Sequence, residues 1–139
     1  MASFNKFNAF VADIANKVHN LGSDTLKVML TNTGPAAANA VKSDITEISA
    51  GNGYAAGGTQ ATLVSSTQSS GTYALKLNNV TFTASAGSIG PFRYCVLYNS
   101  TPAAGNLVGY YDYGTALTIT AGNSFQVQFD ATNGVLQLQ

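Results

Sequence analysis

The sequence predicts a mainly β fold: an antiparallel β-sandwich, jelly-roll-like in topology, with one N-terminal amphipathic helix. Three observations predict it. Short apolar–polar alternations recur from Thr25 onward, parted by Gly, Asn and Pro turn signals at the spacing of sandwiches and barrels. A helical period of three and four occurs only near the N-terminus. Phe92 to Tyr98 is apolar or aromatic at every position except Arg93, which marks a strand covered on both faces at the centre of a sheet. A chain of 139 residues fits one domain, 1–139, with the helix inside 1–22 and strands over 25–139.

The helix is expected over Phe4–Asn20. Phe4, Phe7, Val11, Ile14, Val18 and Leu21 fall on one face, and Phe10 widens the stripe. Ser3 can cap the start, and Gly22 can stop the end. Such a face either covers the chain's own sheet or docks on a partner.

From Thr25 the period becomes two. Leu26, Val28 and Leu30 alternate with Lys27 and Met29, and Thr33-Gly34-Pro35 ends the strand. Asp44–Ile48 reads as a short strand or extended edge. Ser49–Gly58 is a glycine-rich surface loop with Tyr54 as its anchor. Thr59–Ser65 and Gly71–Leu77 are strands, the second with Tyr73, Leu75 and Leu77 inward. Val80, Phe82 and Ala84 then face inward, and Ala86-Gly87-Ser88 turns into the central strand. Leu107–Tyr113 is its antiparallel neighbour, after the turn-rich Asn99–Asn106. Leu117 and Ile119 point inward, as do Phe125, Val127 and Phe129, and Val135–Leu138 closes the chain. The total is nine or ten strands.

Six Lys/Arg balance six Asp/Glu, scattered singly, so the clustered cations that neutralise phosphates are missing and no nucleic-acid partner is expected. Charged residues are 9% of the chain, and the polar surface must come from Ser, Thr, Asn, Gln and Gly. Such a surface suits permanent contact with other subunits better than free diffusion, because little charge keeps copies apart. No N-terminal run is apolar enough for a signal peptide or a membrane span, so synthesis in a cytoplasm and no membrane partner are expected.

The residues point away from catalysis. His19 is the single histidine, and the carboxylates are dispersed, so no catalytic set, no metal site and no cofactor site is expected. An enzyme would show itself by a pocket holding His19 beside a carboxylate. Gly51, Gly53, Gly57 and Gly58 precede no strand–helix phosphate unit. Cys95, within the apolar strand, reads as a buried inert thiol. Arg93 either pairs with Asp112 on the neighbouring strand or faces a subunit interface.

Four stretches carry a resemblance: Ser3-Phe4 through His19-Asn20-Leu21-Gly22; Asp44-Ile45-Thr46-Glu47-Ile48-Ser49-Ala50-Gly51-Asn52-Gly53-Tyr54; Gly87-Ser88-Ile89-Gly90-Pro91-Phe92-Arg93-Tyr94; and Gly109-Tyr110-Tyr111-Asp112-Tyr113-Gly114. In this order they resemble a family of small virion proteins of tailed double-stranded DNA bacteriophages, of the capsid decoration, or cement, type. The resemblance implies a location on the capsid exterior. It also implies the major capsid protein and the chain's own copies, as homodimer or homotrimer, for partners. Phe4, Phe7, Phe10 and Arg93 are then the expected interface residues. The alternative is a tail- or fibre-associated module that binds a receptor or glycan, with Tyr54, Tyr110, Tyr111 and Tyr113 stacking on sugars.

Overall fold

The computed structural model describes residues 2–139. Its elements in chain order are β1 (Phe4–Lys6), α1 (Asn8–Ala15), β2 (Leu26–Thr31), β3 (Thr59–Ala61), β4 (Leu63–Ser69), β5 (Thr72–Leu77), β6 (Val80–Thr83), β7 (Ile89–Asn99), β8 (Leu107–Ile119), β9 (Ser124–Val127) and β10 (Leu136–Leu138). A 3-10 turn at Lys42–Asp44 interrupts the long β2–β3 connection. Every strand pair is antiparallel. One layer is a five-stranded sheet in the order β1-β8-β7-β2-β3. The other combines a three-stranded sheet, β10-β5-β4, with the two-stranded β6-β9.

The apolar strand Phe92–Tyr98 lies in β7, the middle of the larger sheet, as its pattern demands. Cys95 and Leu97 point to the inner core with Val28 and Leu30 of β2, and meet Leu75, Phe82 and Val127 of the second layer. Phe92–Phe125 and Tyr111–Phe129 bridge toward β9 and the segment after it, with ring centroids 5.2 and 6.0 Å apart. The alternate residues, Val96 and Tyr98, join Met29, Phe7, Ile45 and Leu107 in a separate cluster on the outer face. Both faces are therefore buried, and each large side chain contributes on the order of 2 kcal/mol.

A bulge sets the register of β8. Tyr98 pairs with Leu107 and Leu97 with Gly109, so Val108 is the extra residue. It lets Leu107 face the outer cluster while Val108 faces the inner one. Gly109 is bare because the ring of Phe4 occupies the space that a Cβ would take.

The N-terminal segment differs from expectation. Phe4–Lys6 is a strand paired with Tyr111–Gly109 of β8, and the helix spans only Asn8–Ala15. Ser3 is not its cap; Phe7 holds that position with no side-chain cap bond. The sheet edge satisfies the backbone of Phe4–Lys6, and this tertiary pairing overrides a helical pattern of weak intrinsic preference. Nor does Gly22 stop the helix. Lys17 takes a left-handed φ of 62°, and the Val18 amide donates back to the Asp13 carbonyl at 2.9 Å, the pattern of a Schellman end.

Two further expectations shift. Asp44–Ile48 is not a strand: the 3-10 turn ends there, and the segment meets β2 through the Ile48 amide at the Leu30 carbonyl and the Thr46 carbonyl at the Thr31 hydroxyl. Thr59–Ser65 divides into β3 and the start of β4, which belong to different sheets. Asn78-Asn79 carries the chain from one sheet to another, since β5 pairs with β4 and β10 whereas β6 pairs with β9.

Candidate functional site

Most of the expected contact stripe is consumed by the fold. Phe7 is fully buried in the outer cluster, its ring 5.3 Å from Tyr110, and Phe10 is buried in the inner core against His19. Phe4 is half-buried, packed over Gly109 and against Tyr111 at 5.5 Å. Within the fold, Phe4, Phe7 and Phe10 hold the N-terminal segment to its own sheet. The hydrophobic residue that α1 exposes is Val11.

Arg93 pairs with Asp112 across β7 and β8. Its Nε and Nη2 donate to Asp112 Oδ1 and Oδ2 at 2.7 and 3.0 Å, a two-pronged fit. The Asp112 carboxyl is held below its ordinary range by Arg93 first and by the Gly114 amide second. The pair stays partly exposed, with Arg93 over the Tyr94 ring. Asp112 lines an open cleft together with Ala2, Tyr113 and Gly114.

The glycine-rich loop is fastened by a group that sequence reasoning missed. Tyr54, 3% exposed, donates its hydroxyl to Glu47 Oε1 at 2.6 Å and accepts the Leu30 amide at 3.0 Å. Burial, and next the bond to Glu47, raise the Tyr54 hydroxyl well above its ordinary range. The same Glu47 oxygen accepts the Gly57 amide at 2.6 Å, and the Tyr98 hydroxyl donates to the Gly57 carbonyl at 2.7 Å. The loop then turns at Gly58, where φ is +77° and a Cβ would overlap the Val28 carbonyl. Nothing in the spacing of Glu47 and Tyr54 announced this bond.

His19 sits in a second fastening network at the end of the large sheet marked by Asn99 and Leu107. Asn99 is fully buried. Its amide nitrogen faces Asp24 Oδ2 at 2.6 Å, since a carboxylate can only accept. The same nitrogen lies 3.0 Å from His19 Nδ1, which must therefore accept, leaving the proton on Nε2. Nε2 is buried without a hydrogen-bond partner, 3.8 Å from Asp13 Oδ2. Asp13 in turn accepts from Asn106 at 3.0 Å. Burial lowers the His19 pKa, and the nearby Asp13 and Asp24 partly offset it.

A cleft of about 470 Å³ adjoins this network, walled by Ile14, Lys17, Leu21, Tyr73 and Leu138 beside His19. The imidazole has no exposed surface of its own, and its Nδ1 is engaged. The histidine thus ties the segment after α1 to the β7–β8 turn; it does not reach into the cleft as an acid or base would.

The tyrosines do not gather into one exposed platform. Tyr54 and Tyr111 are buried, Tyr110 packs against Phe7 and Tyr94, and Tyr113 packs on Phe125. Cys95 is buried, and its thiol is pushed up to about 12 by burial. Among the described residues, no three His, Cys, Asp or Glu side chains gather as metal ligands, and no helix is long and apolar enough to cross a membrane.

The four stretches that carry the resemblance are neighbours in the fold. β1, in the first, pairs with the fourth along β8; Arg93, in the third, pairs with Asp112 in the fourth; and Asn52, in the second, donates to the Ser88 carbonyl in the third at 2.9 Å. No family model, curated protein or solved structure matches the chain.

Proposed function

We propose that the chain is a decoration, or cement, protein of a tailed double-stranded DNA bacteriophage, bound to the outer surface of the major capsid protein lattice and stabilising the head. The reading starts from the resemblance of the four stretches. One structural observation supports it most: chemistry-bearing side chains are spent on fastening loops and neighbouring strands. Glu47 holds Tyr54 and Gly57; Asp24 and His19 hold Asn99; Arg93 holds Asp112. A protein that works by staying in place needs such a scaffold.

The surface fits that work. Net charge is zero and charged residues are few, so neither copies of the chain nor a protein lattice of either sign repels it at long range. On a lattice, many modest contacts sum to near-permanent attachment.

The test is the particle itself. Quantitative mass spectrometry of purified virions should give on the order of hundreds of copies, as lattice decoration requires. Cryo-electron microscopy should place them on the outer shell. A low copy number confined to the tail would overturn the reading and favour the receptor-binding alternative.

A further inference from the structure

We propose that the free edge of β4 is a self-association surface, on which a second copy of the chain adds its own β4 in antiparallel fashion about a two-fold axis. A strand edge carries unpaired amides and carbonyls, and folded proteins blunt such edges with shortness, charge, proline or cover. The remaining edges here are blunted. β3 and β10 have three residues each, β6 and β9 four each. β1 is also three residues long and carries Lys6.

β4 is different. It has seven residues, Leu63-Val-Ser-Ser-Thr-Gln-Ser69, with no charge and no proline. β5 pairs with one side, and among the described residues no further backbone hydrogen bond reaches it. A bulge between Leu63 and Ser65 disturbs only its start and leaves Ser65–Ser69 in regular pairing with β5. Of the four exposed large hydrophobic residues among those described, two, Leu63 and Val64, stand at that start, 43% and 57% exposed.

Electrostatics select the occupant. A two-fold antiparallel pair sets every residue near the axis against its own copy or a close neighbour of it. Any charge there would meet itself and oppose the pairing. A foreign strand would impose no such rule. β4 carries no charge along its whole length, so a second copy added there meets no self-repulsion at the axis. The product is one continuous sheet, β10-β5-β4 followed by the partner's β4-β5-β10, with the main-chain bonding of strand addition.

The inference is independent of the particle, so its failure leaves the capsid reading standing, and the reverse also holds. Sedimentation equilibrium on the purified full chain over a wide concentration range should show a species of twice 14.3 kDa. Thr67 is exposed near the middle of β4. Thr67→Lys should shift the protein to monomer by setting lysines against each other, and so should Thr67→Glu. An equimolar mixture of the two should recover the dimer, which a misfolded variant would not do. A wild-type protein that stays monomeric throughout overturns the proposal. So does a dimer that Thr67→Lys leaves intact, because the contact then lies elsewhere.

Discussion

Tyr54 does two things with one hydroxyl: it donates to Glu47 and accepts the buried Leu30 amide. Tyr54→Phe keeps the ring against Phe82 and leaves that amide unpaired, at a cost of about 1–3 kcal/mol. Urea unfolding should show the loss as a lower midpoint at unchanged slope. The anchor itself was legible, as the one large apolar group in a glycine-rich run. Its partner was not, because hydrogen bonds across a loop leave no periodic trace. His19 gives a second residue-scale prediction. Burial sets its folded pKa below the unfolded value, so between the two the unfolded chain binds more protons and stability rises with pH. Wild type should lose stability as pH falls through about 6.5, levelling below the folded pKa. His19→Gln should show a flatter profile over the same window, since the chain has no other histidine. A wild-type profile as flat as the variant's would mean that the imidazole is as free to protonate when folded as when unfolded.

At the scale of elements, the legible parts were those whose pattern and environment agree. β7 read as central because both of its faces are apolar, and both are buried. β6 and β9 read cleanly because Val80, Phe82 and Val127 alternate with exposed residues. The N-terminus misled because Phe4, Phe7 and Phe10 satisfy a helical spacing, whereas the edge of β8 was open to Phe4–Lys6 as a strand. The helix end misled because lysine rarely takes the left-handed conformation that closes it. A left-handed non-glycine residue costs roughly 1–2 kcal/mol, and glycine gives back part of that through its larger unfolded-state entropy. Lys17→Gly should therefore raise stability by about 0.5–1 kcal/mol, seen as a higher thermal midpoint. Gly58→Ala is the converse. Its Cβ would overlap the Val28 carbonyl, so the β2–β3 pairing must part, and the loss should exceed about 3 kcal/mol.

For the whole molecule, the decisive property is how little charge it presents. Twelve charged residues are shared between two signs, and Arg93 and Asp112 already neutralise each other. On the proposed function, attachment to a shell would then rest on apolar contact and neutral hydrogen bonds, which salt screens weakly. Between about 0.05 and 0.5 M salt the screening length falls severalfold, which would dissolve a contact made by exposed charges. Occupancy of purified particles by added protein, measured by co-sedimentation, should change by less than about twofold over that range. A steep loss with salt would instead locate the attachment at the few charges that the surface has. Copies bound side by side add a further consequence. If β4 joins them in pairs, each pair holds the shell at two points, and dissociation requires both to release together. Thr67→Lys should then leave the shell faster than wild type even where its single-site contact is untouched, and the difference should vanish when occupancy is too low for pairs to form.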